Sequence, residues 1–260
     1  MPHGAPQSAA EALYQPYDQF ILFGDSITQM SSNQELGFGL QPALQNAYSR
    51  KLDIINRGFG GYTTAHAIKV FPKFFPTPER EDVRLMTIWF GANDSCHPGN
   101  SQHVPLDVFK ENLRQIIQHP ATLAQQPKLI ICTPTPINEH QLEIFDSEKG
   151  NEFPSRTNSF TRQYAEAAHE VATSFKIPVA DLWTAFMTAA GWKEGEPLIG
   201  SRDLPNNDKL SSLFTDGLHL TPDGYRITYD VIMGTIRRNW PDEDPERLPF
   251  VFPGWMEAPK

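Results

Sequence analysis

A four-residue apolar run, Phe20-Ile21-Leu22-Phe23, ends without transition in Gly24-Asp25-Ser26. An unbroken apolar run this short is the pattern of a strand covered on both faces in a parallel sheet. Gly24 has no Cβ and lets the backbone turn sharply. Asp25 and Ser26 are then left at the carboxyl end of the strand. That rim of an open α/β sheet is where ligands sit, and a hydroxyl displayed there is a candidate nucleophile. Taken alone, Ser26 reads better as a helix N-cap, and Asp25 as an Asx residue bonding nearby loop amides. The downstream sequence shifts that balance.

The same sequence of events recurs along the chain. Asp53 to Asn56 is a short apolar strand that ends in a glycine-rich loop, Asn56-Arg57-Gly58-Phe59-Gly60-Gly61. Val83 to Phe90 runs straight into Gly91-Ala92-Asn93-Asp94. Lys128 to Thr133 is closed by Pro134, and Pro178 to Asp181 reads as a last, short strand. Helical periods lie between them, over Gly37 to Arg50, Leu106 to His119, Thr157 to Phe175 and Leu182 to Ala190. Thr63 or Thr64 is placed to cap a further helix over Ala65 to Phe71. Phe71 to Pro78, with three prolines, reads as a loop. Asn138 to Pro154 is charged and breaks the pattern, as an insertion at the rim of the sheet would. Gly191 to Ser212 reads as loop-rich. Thr221-Pro222-Asp223-Gly224 starts a helix that runs to Asn239. Strands alternating with helices predict one doubly wound α/β domain with a parallel sheet, spanning 18–239. Residues 1–17 read as a flexible N-terminal arm. Residues 240–260, with five prolines and two tryptophans, read as a tail packing on the domain or on a partner subunit.

Several function classes are disfavoured. The net charge of -9 argues against non-specific nucleic-acid binding and against docking on anionic membranes. No apolar segment approaches the ~20 residues that span a bilayer, and no basic patch followed by an apolar run marks a secretory signal. A soluble, cytoplasmic protein is expected. Cys96 and Cys132 are far apart and read as reduced core thiols. The histidines form no metal spacing. An Asp94–His97 pair on one loop is the nearest approach to such a site, and neither metal nor cofactor is expected. There is no Gly-x-x-x-x-Gly-Lys-Ser/Thr loop for a nucleotide and no Gly-x-Ser-x-Gly elbow.

Four loops remain: Gly24-Asp25-Ser26, Gly60-Gly61, Gly91-Ala92-Asn93-Asp94 and Asp216-Gly217-Leu218-His219. A parallel sheet gathers the loops after its strands at one rim, which would bring a hydroxyl, amides, an imidazole and a carboxylate together. Those are the parts for acyl transfer through a serine. Ser26 is the nucleophile of that reading. His219 is its base, since an imidazole titrates near neutrality. Asp216 lies three residues before His219, in reach to hold the ring in one tautomer. The amides of Ser26 and Gly61 and the side chain of Asn93 are the oxyanion donors. Alternatives stay open: Asn93 or Asp216 satisfying only its own turn, an acyltransferase or thioesterase of the same chemistry, and a binding module holding phosphate in the Gly58–Gly61 loop.

In this order the four blocks resemble the SGNH hydrolases, also called the GDSL esterase/lipase family. The resemblance covers about residues 19 to 239 and implies a flavodoxin-like three-layer α/β/α sandwich. It carries the nucleophile onto Ser26, the oxyanion glycine onto Gly61, the oxyanion asparagine onto Asn93, the base onto His219 and the orienting acid onto Asp216. The wording Phe-Gly-Asp-Ser-Ile-Thr, Arg-Gly-Phe-x-Gly-Tyr-Thr, Gly-Ala-Asn-Asp and Thr-Asp-Gly-Leu-His is similar to the fungal isoamyl acetate-hydrolysing branch. That implies a small-molecule ester as substrate, an acetate of an aliphatic alcohol, and a homodimer in which the tail takes part.

Overall fold

Each apolar run pairs with its neighbour as a parallel strand. The structure, a computed structural model, describes residues 15–148, 150 and 154–258. The N-terminal arm expected over 1–17 lies almost wholly outside the described residues. The chain alternates β1 (Asp18–Gly24), α1 (Ser26–Met30), α2 (Leu40–Ala47), β2 (Leu52–Gly58), α3 (Thr64–Phe74), β3 (Val83–Trp89), α4 (Leu106–Ile117), α5 (Pro120–Gln125) and β4 (Lys128–Cys132). It continues with α6 (Glu139–Glu148), α7 (Asn158–Ser174), β5 (Val179–Ala180), α8 (Leu182–Ala189), α9 (Asp208–Ser211) and α10 (Pro222–Asn239). The sheet order is β2-β1-β3-β4-β5, all parallel. Strand order reverses between β1 and β3, and a doubly wound sheet binds its ligand in the crevice at that reversal.

The side-chain alternation of β1 builds two cores. Phe20 and Leu22 face one side with α2, α8 and α10; Ile21 and Phe23 face the other with α3, α4 and α7. All four are essentially buried, and each such side chain stabilises by roughly 1.5–3 kcal/mol. The result is the three-layer sandwich that the resemblance implied. Gly24 is needed for a reason other than its turn. A Cβ there would lie 2.1 Å from the Thr28 hydroxyl and 2.6 Å from the Trp89 carbonyl, so only glycine lets α1 sit against the end of β3.

One expectation is corrected, and two readings that the sequence left open are settled. First, Phe71 to Pro78 is not all loop, because α3 runs through Pro72 to Phe74. A proline inside a helix costs about 3 kcal/mol. Aromatic packing offsets that cost: Phe71 and Phe74 pack on Phe23 with centroids 5.6 and 5.0 Å away, and Phe75 stacks on Phe71 at 4.6 Å. Second, the 138–154 segment holds a helix, α6, whose buried positions are Glu139, Leu142 and Asp146. Its inward face is largely acidic, so no apolar period marks it. Glu139 accepts from the Asn158 and Arg202 amides at 2.8 and 3.2 Å, and Asp146 from the Ser155 amide at 2.7 Å. Third, Asp94 and His97 do not pair. Asp94 takes the Thr64 amide and hydroxyl at 2.9 and 2.5 Å, while His97 lies against Phe160.

The tail folds back on the amino end of the sheet. Val251 N–H donates to Arg50 O at 3.1 Å, and the Arg50 guanidinium donates to Phe252 and Pro253 carbonyls. Phe250, Phe252, Trp255 and Met256 remain exposed.

Candidate active site

The nucleophile candidate is set by a very short helix. Asp25 is the N-cap of α1 and accepts from Ile27 N–H at 2.9 Å, which is the Asx role expected of it. Ser26 takes the first helical position, whose N–H has no partner within the helix. Tyr225 of α10 donates to Ile27 O at 2.7 Å and pins α1 from beneath. Ser26 is thereby held at the rim, with the residue 8% exposed.

The opposite wall comes from the chain's other end. Phe214 and Leu220 form an antiparallel bridge, and Thr215 N–H donates to His219 O at 2.8 Å. The turn so closed carries Asp216 and His219. Asp216 Oδ1 accepts from the amides of Leu218 and His219 at 3.0 and 2.8 Å, and its Oδ2 meets His219 Nδ1 at 2.7 Å. His219 Nε2 lies 2.9 Å from Ser26 Oγ. Burial pushes the Asp216 carboxyl up, but the contact with His219 and the two amides outweigh it and hold it below the usual carboxylate range. A carboxylate that stays ionised against Nδ1 favours the tautomer with its proton on Nδ1 and leaves Nε2 as acceptor.

Ser26, Gly61, Asn93 and His219 line one cavity of about 270 Å³. Gly61 has φ of +77°, the left-handed region that favours glycine, and its N–H finds no acceptor among the described residues. Asn93, 4% exposed, gives one Nδ2 hydrogen to Tyr62 O at 2.9 Å and keeps the second. The loops thus bring together all five residues singled out in the sequence. The phosphate alternative fares worse. Gly58 N–H is taken by Asn56 Oδ1 at 2.8 Å and Gly60 N–H by Gln29 Oε1 at 2.7 Å, so the glycine loop offers no nest of free amides. Cys96 and Cys132 are buried and free; burial pushes the Cys96 thiol up to about 11, away from any nucleophilic role. Among the described residues, no group of three His, Cys, Asp or Glu is placed to hold a metal.

Several neighbours of these residues left no trace in the motifs. Met30 of α1, Phe145 of α6, Gln102 and Arg156 also line the cavity. The Phe145 ring stands edge-on to His219, centroids 6.1 Å apart. Arg156 is 4% exposed. One signal was available for it: an arginine just before the N-cap Thr157 of α7 sits at the wrong pole of a helix dipole, so something other than the helix must hold it there.

The family model for GDSL-like lipase/acylhydrolases matches residues 20–232. A GDSL esterase/lipase of Arabidopsis thaliana is 33% identical over 242 residues, with 90% of this chain and 91% of the relative covered. The isoamyl acetate-hydrolyzing esterase of Saccharomyces cerevisiae is 32% identical over 248 residues, with 93% and 95% covered. Among solved structures, a lipase/acylhydrolase from Enterococcus faecalis superposes with a TM-score of 0.60 at 23% identity, over 91% of this chain and 100% of that one. The acetyl xylan esterase AlAXEase does so with a TM-score of 0.62 at 20% identity, over 84% and 99%. Both structural likenesses concern the fold.

Proposed function

The chain belongs to the GDSL-like lipase/acylhydrolase family of carboxylic ester hydrolases, and on that premise we propose that it cleaves short-chain acetate esters of aliphatic alcohols through an acyl-enzyme on Ser26. The observation that carries the proposal is the relay from Ser26 Oγ to His219 Nε2 at 2.9 Å and from His219 Nδ1 to Asp216 at 2.7 Å. His219 takes the hydroxyl proton as Ser26 attacks the ester carbonyl. The carbonyl oxygen becomes an oxyanion, and the amides of Ser26 and Gly61 and the Asn93 side chain donate to it. The imidazolium then returns its proton to the leaving alcohol, with Asp216 stabilising the charge meanwhile. A water activated by the same histidine releases the acid.

Two hollows meet at the relay and support the choice of substrate. The cavity of about 270 Å³ is small and carries polar side chains in its lining, Asn100, Gln102 and Asp146 among them. A cavity of that size, with polar groups in its lining, suits an acetyl group better than a long acyl chain. A second hollow of about 150 Å³ shares Met30 and His219 and continues over Leu36, Phe38, Leu220 and Pro222. Its lining is largely apolar and includes His219, which suits the aliphatic part of a leaving alcohol. The name of the yeast relative agrees with that pairing. The test is kcat/KM across p-nitrophenyl esters from acetate to octanoate. A fall of at least tenfold by octanoate is expected; a rate that rises with chain length would remove the acetate reading and leave the esterase.

A further inference from the structure

The two loops proposed to donate to the oxyanion lie on different strands, and one buried side chain ties them together. Arg156 donates from Nε to Ala92 O at 2.6 Å and from Nη1 to Ser155 Oγ at 2.9 Å. Its Nη2 is shared between Asn93 Oδ1 at 3.1 Å and Gln102 Oε1 at 3.3 Å. Gln102 in turn donates from Nε2 to Gly61 O at 2.9 Å. One guanidinium is thus coupled to Asn93 directly and to Gly61 through a single amide.

We propose that Arg156 is a positioning residue for ester hydrolysis, orienting Asn93 and Gly61 as oxyanion donors through one planar fork. The proposal rests on the reading of those two groups as the donors. The Asn93 amide shows how the orientation is enforced. Its oxygen faces a guanidinium and its nitrogen faces the Tyr62 carbonyl. A flipped amide would set donor against donor and acceptor against acceptor. It would also turn an oxygen, rather than an N–H, toward the developing negative charge. The guanidinium further draws electron density through Oδ1, which makes the remaining Nδ2 hydrogen a stronger donor. Lysine cannot replace it, because a single ammonium does not reach Ala92 O, Asn93 Oδ1 and Gln102 Oε1 in one plane.

A double-mutant cycle on p-nitrophenyl acetate tests this. N93A is expected to lower kcat by about 10²–10³-fold, the usual loss for one oxyanion donor. R156M is expected to lower kcat by about 10–100-fold with KM within about twofold, and Q102A by about 3–10-fold. In the N93A background R156M should cost no more than Q102A does there, because only the branch to Gly61 is left to lose. R156K should resemble R156M, and it carries the same cycle if R156M does not fold. A guanidinium that merely braces the fold would lower the melting temperature and leave kcat per folded molecule unmoved. That result, or an R156M loss of equal factor with and without Asn93, overturns the proposal. A wild-type kcat in N93A overturns instead the oxyanion reading beneath it.

Discussion

The two ends of the central sheet both bury carboxylates, and they hold them in opposite ways. At the amino end Glu243, from the tail, is 2% exposed. It pairs with Arg84 at the start of β3 and with Lys128 at the start of β4, both at 2.5 Å. Burial pushes its carboxyl up, but those two cations outweigh burial and keep it below the ordinary glutamate range. At the carboxyl end Asp25 accepts from an amide and Asp94 from an amide and a hydroxyl, with no ion pair to either among the described residues. Burial, with the Asp94 charge beside it, pushes Asp25 up to about 7, and burial pushes Asp94 up to about 6. One end is closed by charge pairing. The other holds Asp25 and Asp94 on neutral donors alone.

The largest effect that can break this contrast is chemical. S26A should lower kcat/KM for p-nitrophenyl acetate by at least about 10⁴-fold. Removing one hydroxyl at a rim already open to a cavity should move the melting temperature by no more than about 2 °C. Steady-state kinetics and a thermal scan on the same preparation check both. Residual turnover near the wild-type rate would mean that the carboxyl end is not where the reaction occurs.

The contrast also explains what could be read in advance. Ser26, Gly61, Asn93, Asp216 and His219 were legible because each stands in a short motif at a strand end or helix start, where backbone geometry limits the residue types. The parallel α/β sandwich was legible because the apolar runs of β1, β3 and β4 alternate with helical periods. Arg156 was not, because its partner Asn93 is 63 positions away and no periodicity links them. The α6 helix was hidden by the acidic residues on its buried face, Glu139 and Asp146, which cap backbone amides instead of packing on apolar ones. The hold of Glu243 on β3 and β4 was invisible for the same reason: pairing over long sequence distances leaves no local trace.

A smaller effect sharpens the comparison at the carboxyl end. Asp25 folded binds a proton up to about pH 7, whereas its ordinary value is 3.8. The folded state therefore holds more protons than the unfolded state between about pH 4 and 7, and stability falls as pH rises through that window. D25N keeps an oxygen to cap Ile27 N–H and removes the charge. It should be neutral near pH 4 and more stable than wild type by about 2–4 kcal/mol at pH 8. Urea midpoints at both pH values decide it. An equal gap at the two would show that Asp25 is not strained by its charge.

The smallest effect sharpens the comparison at the amino end. Replacing Glu243 by glutamine preserves shape and one acceptor but sets an amide N–H against Arg84 or Lys128. Removing one member of a fully buried pair costs 3–5 kcal/mol, yet the Arg84 and Lys128 side chains are 35% and 37% exposed and water takes up part of the freed charge. E243Q should therefore lose about 1–2 kcal/mol at pH 7. Because the folded carboxyl sits below its ordinary value of 4.5, the Glu243 contribution is present above that pH and disappears as pH falls through the lowered value. The gaps of both variants from wild type thus close in acid, with opposite signs, D25N from the stable side and E243Q from the unstable one. Turnover of p-nitrophenyl acetate per folded molecule should stay within twofold in E243Q, since this clamp lies at the far end of the strands from Ser26. A loss of kcat in proportion to stability would mean that the tail's grip on β3 and β4 reaches Asn93 along the strand, and that the two ends work as one.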